Sequence, residues 1–370
     1  MPDPVWPGRG TRRPRLVAVG TLAACVIVGA AVAYFSTLSP RARGLSLEVR
    51  LTPCKDVSLG ASGVDGMVLV LASQVVWVGE WARGELGTLP IGRDLTALAG
   101  AISPDRETLL VVASTRDFKR GVLQVWDLQA RALRKTVALP GWTRREVVFD
   151  LDRGRVFITT AVPGGTVYRV DVDAATVNPV FGPGSPTGAS VDLAEADARP
   201  LAVAPDGKSL VIGTWGATIV WDLDRGRERF ACPTAEPHDI CLHAAVSPDG
   251  RQVVCDEHHG KIGLWDFATG ARIGDLAWGS NLGKCKEMAF SADGAFLAVG
   301  ITGGVEEPGY VALWRAADYS GPVISRCHSD QLHSMSFLRG EDRLVTTGDH
   351  TVGIWRLPAG NGAAGGNRPE

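Results

Sequence analysis

No Cys-x-x-Cys pair occurs among the seven cysteines of the chain, which removes zinc-ribbon and thioredoxin-type readings. No charge of one sign dominates: 38 Lys and Arg stand against 40 Asp and Glu, a net charge of −2. A nucleic-acid binder needs a basic surface that displaces counterions from phosphates, so nucleic acid is not an expected partner. Catalytic signatures are missing as well. There is no H-E-x-x-H, no G-x-S-x-G, no P-loop and no dinucleotide fingerprint, so neither catalytic residues nor a cofactor are expected. The run Asp256-Glu257-His258-His259 has ligand-type side chains, but four adjacent residues in a hairpin loop converge poorly on one ion. A solvated turn is expected there and no metal. The Gly-rich stretch 182–188 has no Lys and no following helix, so it does not read as a phosphate cradle.

What the chain has is apolar content and turn formers. Hydrophobic residues make up 45% of it, with 45 Gly and 22 Pro, enough for a sizeable core cut by many tight turns. Residues 16–35 (LVAVGTLAACVIVGAAVAYF) form a run without a charged residue. As a helix it would rise about 30 Å, the thickness of a bilayer's hydrocarbon core. Arg9, Arg12, Arg13 and Arg15 precede it, and Arg41, Arg43 and Arg50 follow. The denser cluster on the N-terminal side places residues 1–15 in the cytoplasm and the rest outside. Other readings use the same residues: Ala31-Val32-Ala33 fits a signal-peptidase site, Leu22-Ala23-Ala24-Cys25 a lipoprotein site and Arg12-Arg13 a twin-arginine signal. Residues 36–44 read as a polar linker, and the Gly-rich 359–370 as a disordered tail. If the chain beyond the helix meets an oxidising compartment, Cys232 and Cys241, which bracket a Pro-containing stretch, are the first candidates for a disulfide. Buried free thiols are the favoured alternative.

Between these ends the sequence repeats itself. AISPDRETLLVVAS with GVLQVWDL, AVAPDGKSLVIGTWGATIVWDL, AVSPDGRQVVCDEHHGKIGLWDF, AFSADGAFLAVGITGGVEEPGYVALWR and SFLRGEDRLVTTGDHTVGIWR share one grammar. An apolar strand is followed by an Asp-Gly or Asp-Arg turn, a second apolar strand, a variable loop and an alternating strand ending at Trp. The closing residues are Trp126, Trp221, Trp265, Trp314 and Trp355, with Gly79 and Val170 marking two degenerate units. Their mean spacing is about 46 residues, at the upper edge of the period of one four-stranded propeller blade.

On these residues, and on the pairs Trp126-Asp127, Trp221-Asp222 and Trp265-Asp266, the chain resembles the WD40-repeat β-propellers, with divergent, bacterial-type repeats. The resemblance implies an all-β propeller over residues 45–358, with seven four-stranded blades. Residues 45–51 (LSLEVRL) alternate apolar and polar and would close the ring as the outer strand of the last blade, removing exposed sheet edges. It also implies a blade-stabilising hydrogen-bond chain of His328, Thr346, Asp349 and Trp355. The Asp position is Trp215 in the fourth unit and His259 in the fifth, so that chain is absent or altered there.

The loops between second and third strands are longest at Thr115–Gly121 and Thr302–Gly309. In the family these loops line the upper face, which commonly binds partners, and binding residues concentrate on loops held by a rigid scaffold. The candidate surface is therefore Arg116, Asp117, Phe118, Lys119, Arg120, Trp215, His258, His259, Glu306, Glu307 and His350. The expected function is a non-enzymatic, membrane-tethered scaffold that binds another protein or peptide. Some repeats also resemble bacterial export-associated propellers, which implies the alternative of an exported enzyme or small-molecule binder of lactonase or quinoprotein type. A cytoplasm-facing assembly platform is the third reading.

Overall fold

In a computed structural model the described residues are 34–35, 45–51, 57–160, 165–183, 197–234, 236, 239–257, 260–279, 282–304, 307–348 and 350–358. They form seven antiparallel sheets arranged as a β-propeller. Blade 1 comprises Val57–Val64, Met67–Ala72, Val75–Glu80 and Glu85–Pro90, and blade 2 Leu95–Ile102, Thr108–Thr115, Gly121–Asp127 and Ala132–Ala138. Blade 3 comprises Thr143–Asp150, Arg155–Thr160, Val167–Asp171 and Thr176–Phe181, and blade 4 Arg199–Val203, Ser209–Thr214, Ala217–Asp222 and Arg227–Pro233. Blade 5 comprises Ala244–Val246, Gln252–Asp256, Lys261–Asp266 and Arg272–Ala277, and blade 6 Lys284–Phe290, Phe296–Thr302, Gly309–Arg315 and Val323–His328. Blade 7 begins with Leu332–Phe337, Arg343–Gly348 and Thr351–Arg356. Its outer strand is Ser46–Leu51, paired antiparallel with Thr351–Arg356, so the ring closes as the alternating pattern of that segment implies.

All seven marker residues are penultimate in the third strand of their blade. Second strands such as Ser209–Thr214 are buried along their whole length. Each blade face packs on a neighbouring blade, so a strand buried on both faces reads as a continuous apolar run. Successive residues divide between the two interfaces: Val68 and Val70 pack toward blade 7, Leu69 and Leu71 toward blade 2. Seven apolar clusters fill the seven interfaces. Each closing Trp lies in the cluster shared with the preceding blade. Blade 1 has Gly79 at this position, and Trp81, two residues on, fills its interface with blade 7. Its indole N–H donates to Glu341 at 3.2 Å, and Arg343 lies over the ring at 5.0 Å.

The Asp of the Trp-Asp pairs has a local task. Asp266 Oδ1 accepts from the Thr269 backbone N–H at 2.7 Å and the Ala268 N–H at 3.1 Å, fixing the turn to the outer strand. Asp222 and Asp127 do the same through Arg225 and Ala130. The turn between first and second strands has its own lock: Ser247 Oγ donates to Asp249 at 2.6 Å and accepts from the Gln252 N–H at 2.9 Å, and Ser291 repeats this with Asp293 and Phe296. The left-handed position in these turns is Gly207, Gly250 or Gly294 in three blades and Arg106 (φ 64°) in blade 2.

The N-terminal expectation needs correction at one end. Tyr34 and Phe35, the last two residues of the expected span, are strand: they pair antiparallel with Arg50 and Val49 outside the closing strand. A four-stranded blade leaves the outer N–H and C=O groups of Ser46–Leu51 open, and this segment takes them up. Among the described residues no helix is long and apolar enough to cross a membrane; residues 1–33, the 36–44 linker and the 359–370 tail lie outside them.

Candidate functional site: the upper face and the channel

Each blade is a meander, so the loops joining second to third strands and the loops entering each blade open on one face. Contacts between them confirm it. The Arg116 N–H donates to Asp94 O at 3.0 Å, and the Gly216 N–H donates to Asp239 O at 2.7 Å.

On blade 2 the long loop is held in one shape by Thr115. Its hydroxyl donates to Asp117 at 2.6 Å and accepts from the backbone N–H groups of Arg120 at 3.1 Å and Lys119 at 3.3 Å. Phe118 is thereby kept at φ 54° and is 61% exposed. Its ring meets Trp142, on the loop entering blade 3, edge to face at 5.5 Å. Arg116, Lys119 and Arg120 surround it and are exposed, with Lys119 3.8 Å from Asp117. On blade 4 Trp215 occupies the turn between second and third strands, bridges to Ile240 and remains 46% exposed. His350 is exposed on blade 7 at φ 57°. Glu307 on blade 6 is turned back on its own loop, accepting from the Gly304 N–H at 2.7 Å. The candidates thus sit around the rim on separate blades. His258, His259, Glu306 and Asp349 lie outside the described residues.

The expected stabilising chain of blade 7 assembles around Thr346. Its hydroxyl is 2.8 Å from His328 Nε2 and accepts from Trp355 Nε1 at 2.8 Å. In blade 2 Gln124 takes the equivalent role, accepting from Trp126 Nε1 at 3.1 Å and donating to Ile91 O at 2.8 Å. Trp221 and Trp265, whose blades carry Trp215 and His259 at the Asp position, have no hydrogen bond on the indole N–H among the described residues. Trp314 is packed at 1% exposure in the interface of blades 5 and 6.

One expectation is corrected. Asp256 and Glu257 are each only 6% exposed and do not form a solvated turn. Glu257 receives a two-armed ion pair from Arg272 at 2.6 and 2.7 Å, and that guanidinium stacks on Trp265 at 5.1 Å. Asp256 Oδ1 accepts from the backbone N–H of Leu242 at 2.9 Å and His243 at 3.1 Å. The thiols follow the favoured reading. Cys232 and Cys241 are buried and free, and Cys255 lies between them in thiol–thiol contact with both.

The innermost strands surround a channel whose upper end is a cavity of about 330 Å³, lined among others by Arg145, His243, Lys286, Glu287 and His333. Burial pushes the Glu287 carboxyl up to about 7 and holds the imidazoles of His243 and His333 below their usual range. Ion pairs Arg144–Asp197 (2.7 Å) and Arg199–Glu146 (3.1 Å) brace its rim. None of these channel residues, nor Trp142, stands out in the sequence: each is an ordinary member of a first strand or its entry loop, and only the ring brings them together.

No family model matches the chain. It is 28% identical to the small ribosomal subunit protein RACK1y of Oryza sativa subsp. japonica over 131 residues, 34% of this chain and 36% of that one. It is 28% identical to autophagy-related protein 16 of Arabidopsis thaliana over 155 residues, 41% of this chain and 28% of that one. The chain thus spans about a third of the length of these curated relatives. None of these names denotes an enzyme. Its fold matches a chain in the crystal structure of a mitotic checkpoint complex, with TM-score 0.68 at 16% identity, covering 88% of this chain and 96% of that one. The chain is thus a seven-bladed β-propeller, the fold it shares with that chain of the checkpoint complex.

Proposed function

We propose that this chain is a non-enzymatic interaction scaffold whose upper face takes a partner protein or peptide, with the propeller held at a membrane by the apolar segment that ends near residue 33. The observation that carries the reading is the presentation of Phe118. A large apolar side chain is 61% exposed on a loop that a buried-side hydroxyl holds in a single conformation. It stands beside Trp142 and among three cationic side chains. Rigid aromatic anchors with flanking cations suit a partner segment that carries an apolar residue among acidic ones. Trp215 supplies a second anchor. The named likenesses, which include a chain of a mitotic checkpoint complex, agree with a scaffold role. The arginines before residue 16 favour an extracytoplasmic propeller.

The test is crosslinking in membranes followed by affinity measurement with the partner recovered. Phe118→Ala and Trp215→Ala should each leave the melting temperature within about 1 °C, because exposed substitutions shift stability by under about 0.5 kcal/mol. Loss of a hot-spot aromatic should weaken binding about 30-fold, or 2 kcal/mol. Unchanged binding in the double variant would refute the assigned surface. Protease protection of a C-terminal tag in intact cells would refute the extracytoplasmic placement.

A further inference from the structure

We infer that His243, Asp256 and Cys285 form a binding site for a divalent transition metal of the zinc class, between blades 5 and 6 at the upper end of the channel. One ligand atom from each residue lies within 4.8 Å of the other two. The three come from different elements: His243 precedes the first strand of blade 5, Asp256 ends its second strand, and Cys285 opens the first strand of blade 6. The local arrangement is that of a prepared site. Asp256 is fixed by two backbone N–H groups on Oδ1, which leaves Oδ2 for an ion and supplies the orienting contacts that metal carboxylates ordinarily have. The His243 imidazole has no hydrogen bond to any described residue and lies beside the Asp256 carboxylate. The Cys285 thiol makes one long contact, to Glu287 O at 3.7 Å.

On binding a divalent cation the thiol proton leaves to solvent as the metal–sulfur bond forms, and thiolate and carboxylate together neutralise a 2+ ion. Ligand atoms at about 2.0–2.3 Å from a tetrahedral zinc stand some 3.3–3.8 Å apart, so closing the site asks for a contraction of about 1 Å. A nitrogen, oxygen and sulfur set suits zinc, with cobalt as its spectroscopic substitute, and disfavours magnesium and calcium. Three protein ligands leave the fourth position to water or to a donor arriving by the channel, whose wall His243 forms.

The full chain in detergent, stripped with chelator and reloaded, should retain one zinc per chain by elemental analysis. Its cobalt form should show an intense tetrahedral visible spectrum and a thiolate-to-cobalt charge-transfer band. Cys285→Ser should abolish that band, while Cys232→Ser and Cys241→Ser retain it. Asp256→Asn, which keeps an oxygen for the two N–H donors, should weaken zinc at least about tenfold. Because Cys285→Ser could fail to fold, alkylation of the unaltered chain gives an independent reading: zinc should protect Cys285 selectively, while magnesium should not. Absence of retained zinc, a band that survives Cys285→Ser, or a band lost with Cys241→Ser instead would each overturn the assignment. None of these readings depends on partner binding.

Discussion

Replacing Thr346 by Val separates a hydrogen-bond hub from simple packing. Thr346 is fully buried, and its hydroxyl serves His328 Nε2 and Trp355 Nε1, each at 2.8 Å. Valine keeps the shape and removes the oxygen. The Trp355 N–H then faces an apolar wall, and a buried donor left without a partner costs about 1–3 kcal/mol. His328 also loses the Thr346 hydroxyl from its Nε2, so a further ~1 kcal/mol is lost. The sum is about 2–4 kcal/mol. Unfolding entropy of about 2.1 cal/mol/K per residue over ~310 residues converts each kcal/mol into about 1.5 °C, giving a fall in Tm of about 3–6 °C. Thr160→Val is the matched control. That residue is equally buried, but its hydroxyl has no partner among the described residues, so the same exchange should be neutral or slightly stabilising. Scanning calorimetry on both variants checks the difference. Equal effects would refute the hub and leave blade 7 held by packing alone.

Two further outcomes are expected. Deleting residues 1–51 removes Val49 and Leu51, both essentially inaccessible, and bares the edge of Thr351–Arg356. The loss is about 3–6 kcal/mol from these two side chains, together with self-association. Size-exclusion chromatography should show oligomers that a peptide of residues 34–51 returns to monomer, and a monomeric deletion variant would argue against strand closure. In the second case, Asp127, Asp222 and Asp266 are held below the usual carboxylate range, the first two chiefly by backbone N–H donors and Asp266 chiefly by the Thr269 hydroxyl. A depressed folded pKa contributes stability that is full above the unfolded value near 3.8 and is lost as pH falls through the folded one. The triple Asp→Asn variant keeps acceptor oxygens, so its urea midpoint should fall less between pH 6 and pH 3 than that of the parent. An identical fall would show that these turns do not set acid stability.

The blades were legible because their signal is periodic and redundant. Any one Trp-Asp pair says little, but seven markers at a steady spacing fix the third strand of every blade, including those with Gly79 and Val170. Residues 45–51 were legible through alternation, because one face of the outer strand is covered and the other is wet. What failed to show was pairing across the chain. Asp256-Glu257 reads as polar loop because sequence gives no sign that Arg272 returns to Glu257 fifteen residues later, nor that two backbone N–H groups await Asp256. His243 and Cys285 carry no mutual spacing rule, since the register between blades 5 and 6 brings them together. Tyr34 and Phe35 were assigned by hydropathy to a helix, which cannot sense an open sheet edge further along the chain. Trp81 was invisible as a replacement for the missing blade-1 Trp because it sits two residues off register, on a short 3₁₀ turn.

The two faces of the ring therefore carry different kinds of information. Below, the same Ser–Asp lock recurs at Ser103, Ser247 and Ser291, and the same Asp holds the outer turn at three blades. These repeats specify the scaffold. Above, the connections between second and third strands vary in length, from two residues between Ala72 and Val75 or Thr214 and Ala217 to five between Thr115 and Gly121 and six between Thr302 and Gly309, although all spring from equivalent ladders. Closure of a loop whose ends are already fixed depends only weakly on its length, so added residues there cost little. The Thr115 loop takes advantage of this. It holds Phe118 in a left-handed conformation that costs on the order of 1 kcal/mol, and offsets that cost with three bonds to one hydroxyl. A loop selected for stability alone would place glycine at that position and leave no phenyl ring in water. Thr115→Val should consequently let the loop relax and reduce partner affinity about as much as Phe118→Ala, with both side chains of the Phe118–Trp142 pair still present. If affinity is unchanged, loop shape is incidental and only the aromatic surface counts.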